Sequence, residues 1–181
     1  IPSLLKGGFS EQVSGGVDVY QIRQPLGVVA GITPFNFPAM VPMWMFATAI
    51  ATGNTFVLKP SEKDPSAANY LAELLAEAGV PAGRLNLVHG RGADVGTWLL
   101  EEPGIAFYTF TGSTSVGKQL QRTVGLRPIA LELGSIAATI VCADADLDRA
   151  VPRVVNSAFR RAGQACTSTQ RLFVQRPVLE A

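Results

Sequence analysis

The chain has 181 residues, room for one domain of about 150 residues or for one and a part. Its 48% hydrophobic and 16% charged residues are a globular composition, not a disordered one. Fifteen Lys and Arg stand against fourteen Asp and Glu for a formal charge of +1, and the absence of a basic block argues against nucleic-acid binding as the main task.

Residues 1–24 are Gly-rich, polar and alternating, which predicts an edge hairpin. The chain begins Ile-Pro with no charged-then-apolar leader, so no signal peptide is visible and the chain is expected to be a fragment or a processed form. Leu26–Ile32 (LGVVAGI) is a continuous apolar run of strand length. The longest apolar stretch, Ala39 to Ala51, falls short of the ~18–20 residues that cross a bilayer and is expected as a buried helix, with no membrane association. The turn signal Gly53-Asn54 precedes a second strand, Thr55–Lys59 (TFVLK). Asp64-Pro65 offers an N-cap with proline at the first helical position; Leu71, Leu74, Leu75 and Ala78 form its apolar stripe and Gly79 closes it. Further strands are expected at Leu85–Gly90, Ala106–Phe110, Pro128–Leu133, Ala138–Cys142 and Arg171–Gln175. Helices are expected at Ala93–Glu102, Ser115–Val124 and about Asp146 to Arg161, with another starting at the chain's end in RPVLEA. Strands apolar on both faces, alternating with helices, predict an α/β doubly wound parallel sheet.

In such a sheet ligands bind beyond the carboxyl ends of the strands, and two Gly-rich turns are expected there. One is Gly90-Arg91-Gly92 through Gly96. The other is Gly112-Ser113-Thr114-Ser115-Val116-Gly117, whose helix start suits a pyrophosphate; either is equally readable as a tight connection. Lys59-Pro60-Ser61-Glu62 ends a strand with a lysine and a glutamate that could bond ribose hydroxyls and repel a 2′-phosphate, or simply form a surface ion pair. Cys166 sits in the small polar loop Gly163–Ser168, accessible to a substrate, whereas Cys142 reads as a buried filler. Both are expected to be reduced in a cytoplasmic protein. Two Cys and one His are too few for a zinc cage or a disulfide framework. Glu132 in the apolar strand LEL is either a general base raised by burial or an outward-facing residue near a strand end. His89, the only histidine, reads as a solvated loop residue, and no G-x-S-x-G elbow is present.

Together the strings PLGVVAGITPFNFP (25–38), GNTFVLKPSE (53–62), FTGSTSVGK (110–118), LELG (131–134) and GQAC (163–166) resemble the NAD(P)-dependent aldehyde dehydrogenase family, in the family's order over nearly the whole chain. The resemblance implies that Cys166 attacks an aldehyde carbonyl to give a thiohemiacetal. Asn36 and the Cys166 backbone N–H would form the oxyanion hole. Hydride transfer to NAD would leave a thioester, which water activated by Glu132 cleaves to a carboxylic acid. Cofactor contacts are implied at Thr33, Pro34 and Phe35, at Lys59, Ser61 and Glu62, and at Gly92 and Gly96. Phe110, Thr111, Gly112, Ser113 and Val116 would add to them, as would Leu133 and Gly134. NAD is the expected cofactor, NADP a possible one, and no metal is expected. Residues 1–90 look like methylmalonate-semialdehyde dehydrogenases, which release product to coenzyme A; from Phe110 on, the chain looks like hydrolytic members. Retention of Glu132 argues for water as acceptor. A coenzyme A-acylating enzyme and a non-catalytic nucleotide-binding fragment are the rival readings. LELGS departs from the family in carrying Ser135-Ile136 where most members have Gly-Lys. No E-x-F-G-P string is present. The resemblance implies bridging strands for homo-oligomer assembly at 1–24, a partial NAD-binding domain at 25–135 and the beginning of a catalytic domain at 136–181.

Overall fold

The structure, a computed structural model, describes residues 1–180; Ala181, the last residue of the expected catalytic segment, lies outside them. The chain divides into two compact units, Ile1–Glu132 and Leu133–Ala181.

The first unit opens with an antiparallel hairpin, β1 (Gly8–Ser14) and β2 (Val17–Gln21), which forms its own two-stranded sheet. The unit's main sheet has five parallel strands: β3 (Val28–Ile32), β4 (Thr55–Lys59), β5 (Leu85–Leu87), β6 (Ile105–Thr111) and β7 (Ile129–Glu132). Their spatial order is β5-β4-β3-β6-β7. The connecting helices are α1 (Met40–Ala51), α2 (Ser66–Glu77), α3 (Gly92–Glu101) and α4 (Thr114–Thr123). The chain winds outward from β3 to β5 and then returns through α3 to the far side of β3. Right-handed crossovers therefore place α1 and α2 on one face and α3 and α4 on the other. The winding reverses between β3 and β6, the point at which such sheets open a crevice.

The central strands follow the hydrophobic pattern. Phe56 and Leu58 of β4 are fully buried and pack with Val29, Phe46, Ala49 and Ala68. The Phe46 and Phe56 rings meet edge to face at 6.5 Å. Gly31 is required by this packing, because a Cβ there would run into the Phe56 ring. On the other face Arg127 ties the frame together. It donates to the carbonyls of Leu100 (2.6 Å) and Glu102 (2.9 Å) at the end of α3, to that of Val124 (3.2 Å) after α4, and to the Tyr108 hydroxyl (2.5 Å) on β6. A guanidinium at the carboxyl ends of two helices also complements both dipoles.

Several expectations give way to the observed structure. Asp64 does not cap α2: the N-cap position falls on Pro65 with no side-chain bond, because the helix starts one residue later than its Asp-Pro signal. The apolar helix α1 is only partly buried, with Met43 and Trp44 exposed. Its Pro42 falls in the first turn, where a missing N–H costs nothing. Cys142, expected as a buried filler, is exposed just past the end of its strand. Near the chain's end, Arg176–Val178 form a 3-10 turn.

The second unit pairs β8 (Ala137–Val141) with β9 (Thr169–Val174) in parallel, joined through α5 (Leu147–Phe159). The Asp146 side chain caps α5 by accepting the Arg149 N–H at 3.3 Å. The expected single helix to Arg161 instead breaks after Phe159. Arg161, Ala162 and Gly163 take left-handed backbone (φ 54°, 55° and 73°), so the segment Arg160–Gly163 is a separate tight turn.

Candidate active site

At the reversal point of the first unit's sheet lies a cavity of about 560 Å³. Its walls are the carboxyl ends of three strands and the amino ends of two helices. After β3 come Thr33, Pro34 and Phe35; after β4, Lys59, Ser61, Glu62 and Lys63; from β6, Phe110, Thr111 and Gly112. Gly92, Gly96 and Leu100 of α3 and Ser113, Val116 and Leu120 of α4 complete it.

The polar groups are arranged by the backbone. The Thr33 N–H donates to the Lys59 carbonyl (3.2 Å), joining the two loops that leave β3 and β4. Lys59 is 2% exposed, and its ammonium donates to Glu62 Oε2 at 2.7 Å. Glu62 Oε1 accepts the Gly92 N–H at the start of α3 (3.3 Å). These bonds, the lysine's first, hold the Glu62 carboxyl at about 2, well below its ordinary 4.5, so it is an anion at neutral pH. The pair uses one of the three donors on the ammonium. Ser113 caps α4, accepting the Val116 N–H at 3.4 Å. Gly112 must be glycine, since a Cβ there would come within 2.5 Å of the Phe110 ring. Lys63 sets its ammonium 4.9 Å from the Phe35 ring centre. The Thr33 hydroxyl is buried without a hydrogen-bond partner among the described residues.

Most of this wall is legible in the sequence motifs, but Ile32, Lys63, Ala93, Thr97, Leu100, Gln119 and Leu120 are not. Helical spacing carried the signal: Leu100 lies four residues beyond Gly96, itself four beyond Gly92, and Leu120 lies four beyond Val116. Asn36 stands in the loop after β3, half-buried and beside Phe35. Glu132 is the last residue of β7, and its carbonyl accepts the Gly112 N–H at 3.0 Å. Its side chain is exposed, so burial is not what would prepare it for proton transfer. A carboxylate at the tip of an edge strand meets water rather than core. His89 is exposed in a loop.

Leu133 and Gly134 belong to the second unit, as does the cysteine loop. There Cys166 is exposed. The loop is anchored on both flanks: the Gln164 N–H donates to the Arg161 carbonyl (3.0 Å) and the Ser168 N–H to that of Ala165 (3.1 Å). Ser168 is buried. The Thr169 hydroxyl meets that of Thr139 on β8 (2.9 Å) and that of Ser157 on α5 (3.0 Å). Among the described residues no group of His, Cys, Asp and Glu could hold a metal ion, and no helix is long and apolar enough to cross a membrane.

A sheet of this order with a dinucleotide-sized crevice at its switch point defines a Rossmann-like α/β protein. Residues 3–181 match the aldehyde dehydrogenase family, and the chain belongs to that family. It is 51% identical over 169 residues to malonate-semialdehyde dehydrogenase 2 of Geobacillus thermodenitrificans, covering 92% of this chain and 35% of that protein. It is 46% identical over 162 residues to 3-sulfolactaldehyde dehydrogenase of Priestia aryabhattai, covering 90% and 34%. Among solved structures it matches a putative methylmalonate-semialdehyde dehydrogenase from Sinorhizobium meliloti, complexed with NAD. That match has a TM-score of 0.89 and 44% identity over 96% of this chain and 35% of the other. The chain thus spans about a third of the length of the relatives it matches.

Proposed function

We infer that this chain is the cofactor-binding and nucleophile-bearing part of an NAD-dependent aldehyde dehydrogenase acting on a short aldehyde that carries an acidic group. The observation that carries the reading is the Lys59–Glu62 pair at the mouth of β4, inside a crevice flanked by two helix starts. Lys59 and Glu62 bond the hydroxyls of an adenosine ribose, and the anionic Glu62 repels a 2′-phosphate, favouring NAD over NADP. Ser113 and the first amides of α4 take the pyrophosphate. Gly112 lets it approach, and Thr33, Pro34 and Phe35 with the Thr33 hydroxyl line the crevice between them. The residues fit such a ligand: a buried hydroxyl waits for a partner, and the ammonium has donors beyond the one it gives Glu62. Ser61, Gly92, Gly96, Phe110, Thr111 and Val116 supply the remaining wall, and Leu133 and Gly134 are further proposed cofactor contacts. Bound NAD supplies the hydride acceptor.

Cys166, as thiolate, attacks the aldehyde carbon to form a thiohemiacetal. Asn36 and the Cys166 N–H donate to the developing oxyanion, an interaction worth about 3–4 kcal/mol of barrier. After oxidation a thioester remains on Cys166, and Glu132 takes the proton of the water that cleaves it to the acid. Malonate semialdehyde and sulfolactaldehyde, in the relatives' names, both carry an anionic group, which supports the acidic substrate class. The hairpin of β1 and β2, with Phe9 and Tyr20 exposed on it, is the surface for homo-oligomer assembly, and the enzyme is cytoplasmic.

The experiment is Glu132→Gln in the enzyme, with malonate semialdehyde as probe. The variant is expected to give a burst of NADH near one per site and then a steady state about 10²–10⁴-fold slower, with acyl-enzyme visible as added mass on Cys166. Normal steady-state acid production would overturn the role of Glu132. Turnover that requires coenzyme A in the unmodified enzyme would replace water as acceptor.

A further inference from the structure

In the second unit, β8 and β9 are paired from Ala137↔Thr169 to Val141↔Val174, and the ladder slips between Ala137 and Ala138. Upstream of that slip, Ser135 lies two residues before Ala137 and Cys166 three before Thr169. The parallel register therefore brings the two leading segments side by side. There the Ser135 hydroxyl donates a hydrogen bond to the carbonyl oxygen of Cys166.

Both residues are exposed, so this bond is not needed to satisfy a buried acceptor; water could solvate the carbonyl equally well. What water cannot do is hold the peptide plane at one orientation relative to β8. That plane follows Cys166, so the tie restrains ψ of the cysteine and with it the direction of its Cα–Cβ bond. The other ties of the loop, at Gln164, Ser168 and Thr169, act on its flanks. The Ser135 bond is made to the reactive residue itself. Upstream, the chain enters the loop through a left-handed turn at Arg161–Gly163.

We propose that Ser135 is a positioning residue for Cys166, orienting the thiol through its backbone carbonyl and so setting its reactivity. The proposal rests on the reading of Cys166 as the nucleophile. It is testable apart from turnover. Alkylation of Cys166 by iodoacetamide, followed on the Cys166-bearing peptide by mass spectrometry across about pH 6 to 10, reads the thiol directly in the unmodified enzyme, Ser135→Ala and Ser135→Thr. Ser135→Ala is expected to slow the limiting alkylation rate about three- to tenfold, the scale of one lost hydrogen bond. It should lower kcat by a similar factor with KM little changed, at an unaltered Tm. Ser135→Thr, which keeps the hydroxyl, should restore both. An alkylation profile in Ser135→Ala that matches the unmodified enzyme would overturn the proposal, as would a defect that Ser135→Thr leaves in place. Should Cys166→Ala still oxidise aldehyde, the nucleophile reading falls, while the alkylation rates continue to decide whether Ser135 orients the thiol.

Discussion

Phe56, on β4 of the first unit's sheet, is fully buried, whereas Ile140, on β8 of the second unit, is 69% exposed. The contrast runs through both units. The first encloses a core of aromatic and aliphatic side chains and an anchored Lys59–Glu62 pair; among the described residues of the second, Ser168 alone is buried and α5 buries none. The first unit thus encloses a core and prearranges a crevice. The second holds its reactive loop by hydrogen bonds between hydroxyls, amides and carbonyls, which specify geometry while contributing little net stability.

The largest effect expected separates chemistry from folding. Cys166→Ser should reduce aldehyde oxidation by about 10⁴-fold or more, because a serine hydroxyl stays protonated where a thiolate forms. The thermal midpoint should stay put, as expected for an exposed residue. Cys142→Ser, also exposed, should keep both activity and stability; equal activity losses for the two would remove Cys166 from its role. Next comes the core. Phe56→Ala should cost about 3–5 kcal/mol in urea unfolding, against about 0.5 kcal/mol for Ile140→Ala. An Ile140→Ala loss close to that of Phe56→Ala would show β8 covered by a further surface and would break the contrast between the units.

Smaller effects belong to the Lys59–Glu62 pair. Glu62→Ser removes the anion that repels a 2′-phosphate, and the ratio of NADP to NAD affinity, measured by calorimetry, should rise by the equivalent of about 1–3 kcal/mol. Stronger binding of NADP by the unmodified protein would contradict this. The smallest effect is on pH dependence. Glu62 titrates at about 2 when folded, against an ordinary 4.5. Its contribution to stability is therefore complete above about pH 4.5 and is lost as pH falls toward 2. The Glu62 side chain is 48% exposed, which limits that contribution to below about 1 kcal/mol. Glu62→Gln should flatten the stability curve in that window alone, and an unchanged curve would show the pair to be energetically silent.

Much of the molecule was legible from local pattern. The runs around Val29, Phe56 and Tyr108 are largely apolar on both faces because a parallel sheet buries both, and that pattern survives without any tertiary information. Gly112 was legible as a turn glycine, Lys59 and Glu62 as charges at a strand end, and Cys166 as a thiol in a small polar loop. Tertiary structure alone decided which of these meet. The reversal of winding between β3 and β6 brings residues near 33, 60, 92 and 112 around one cavity, a consequence of strand order that no local pattern encodes. It also decided the fate of single side chains. Asp64 lost its cap to a one-residue shift of α2, and Glu132, the last residue of β7, lies on that strand's exposed face. Ser135 found the Cys166 carbonyl through a parallel register set 31 positions apart in the chain, since a hydrogen bond depends on where two backbones pack and not on the residues flanking either one.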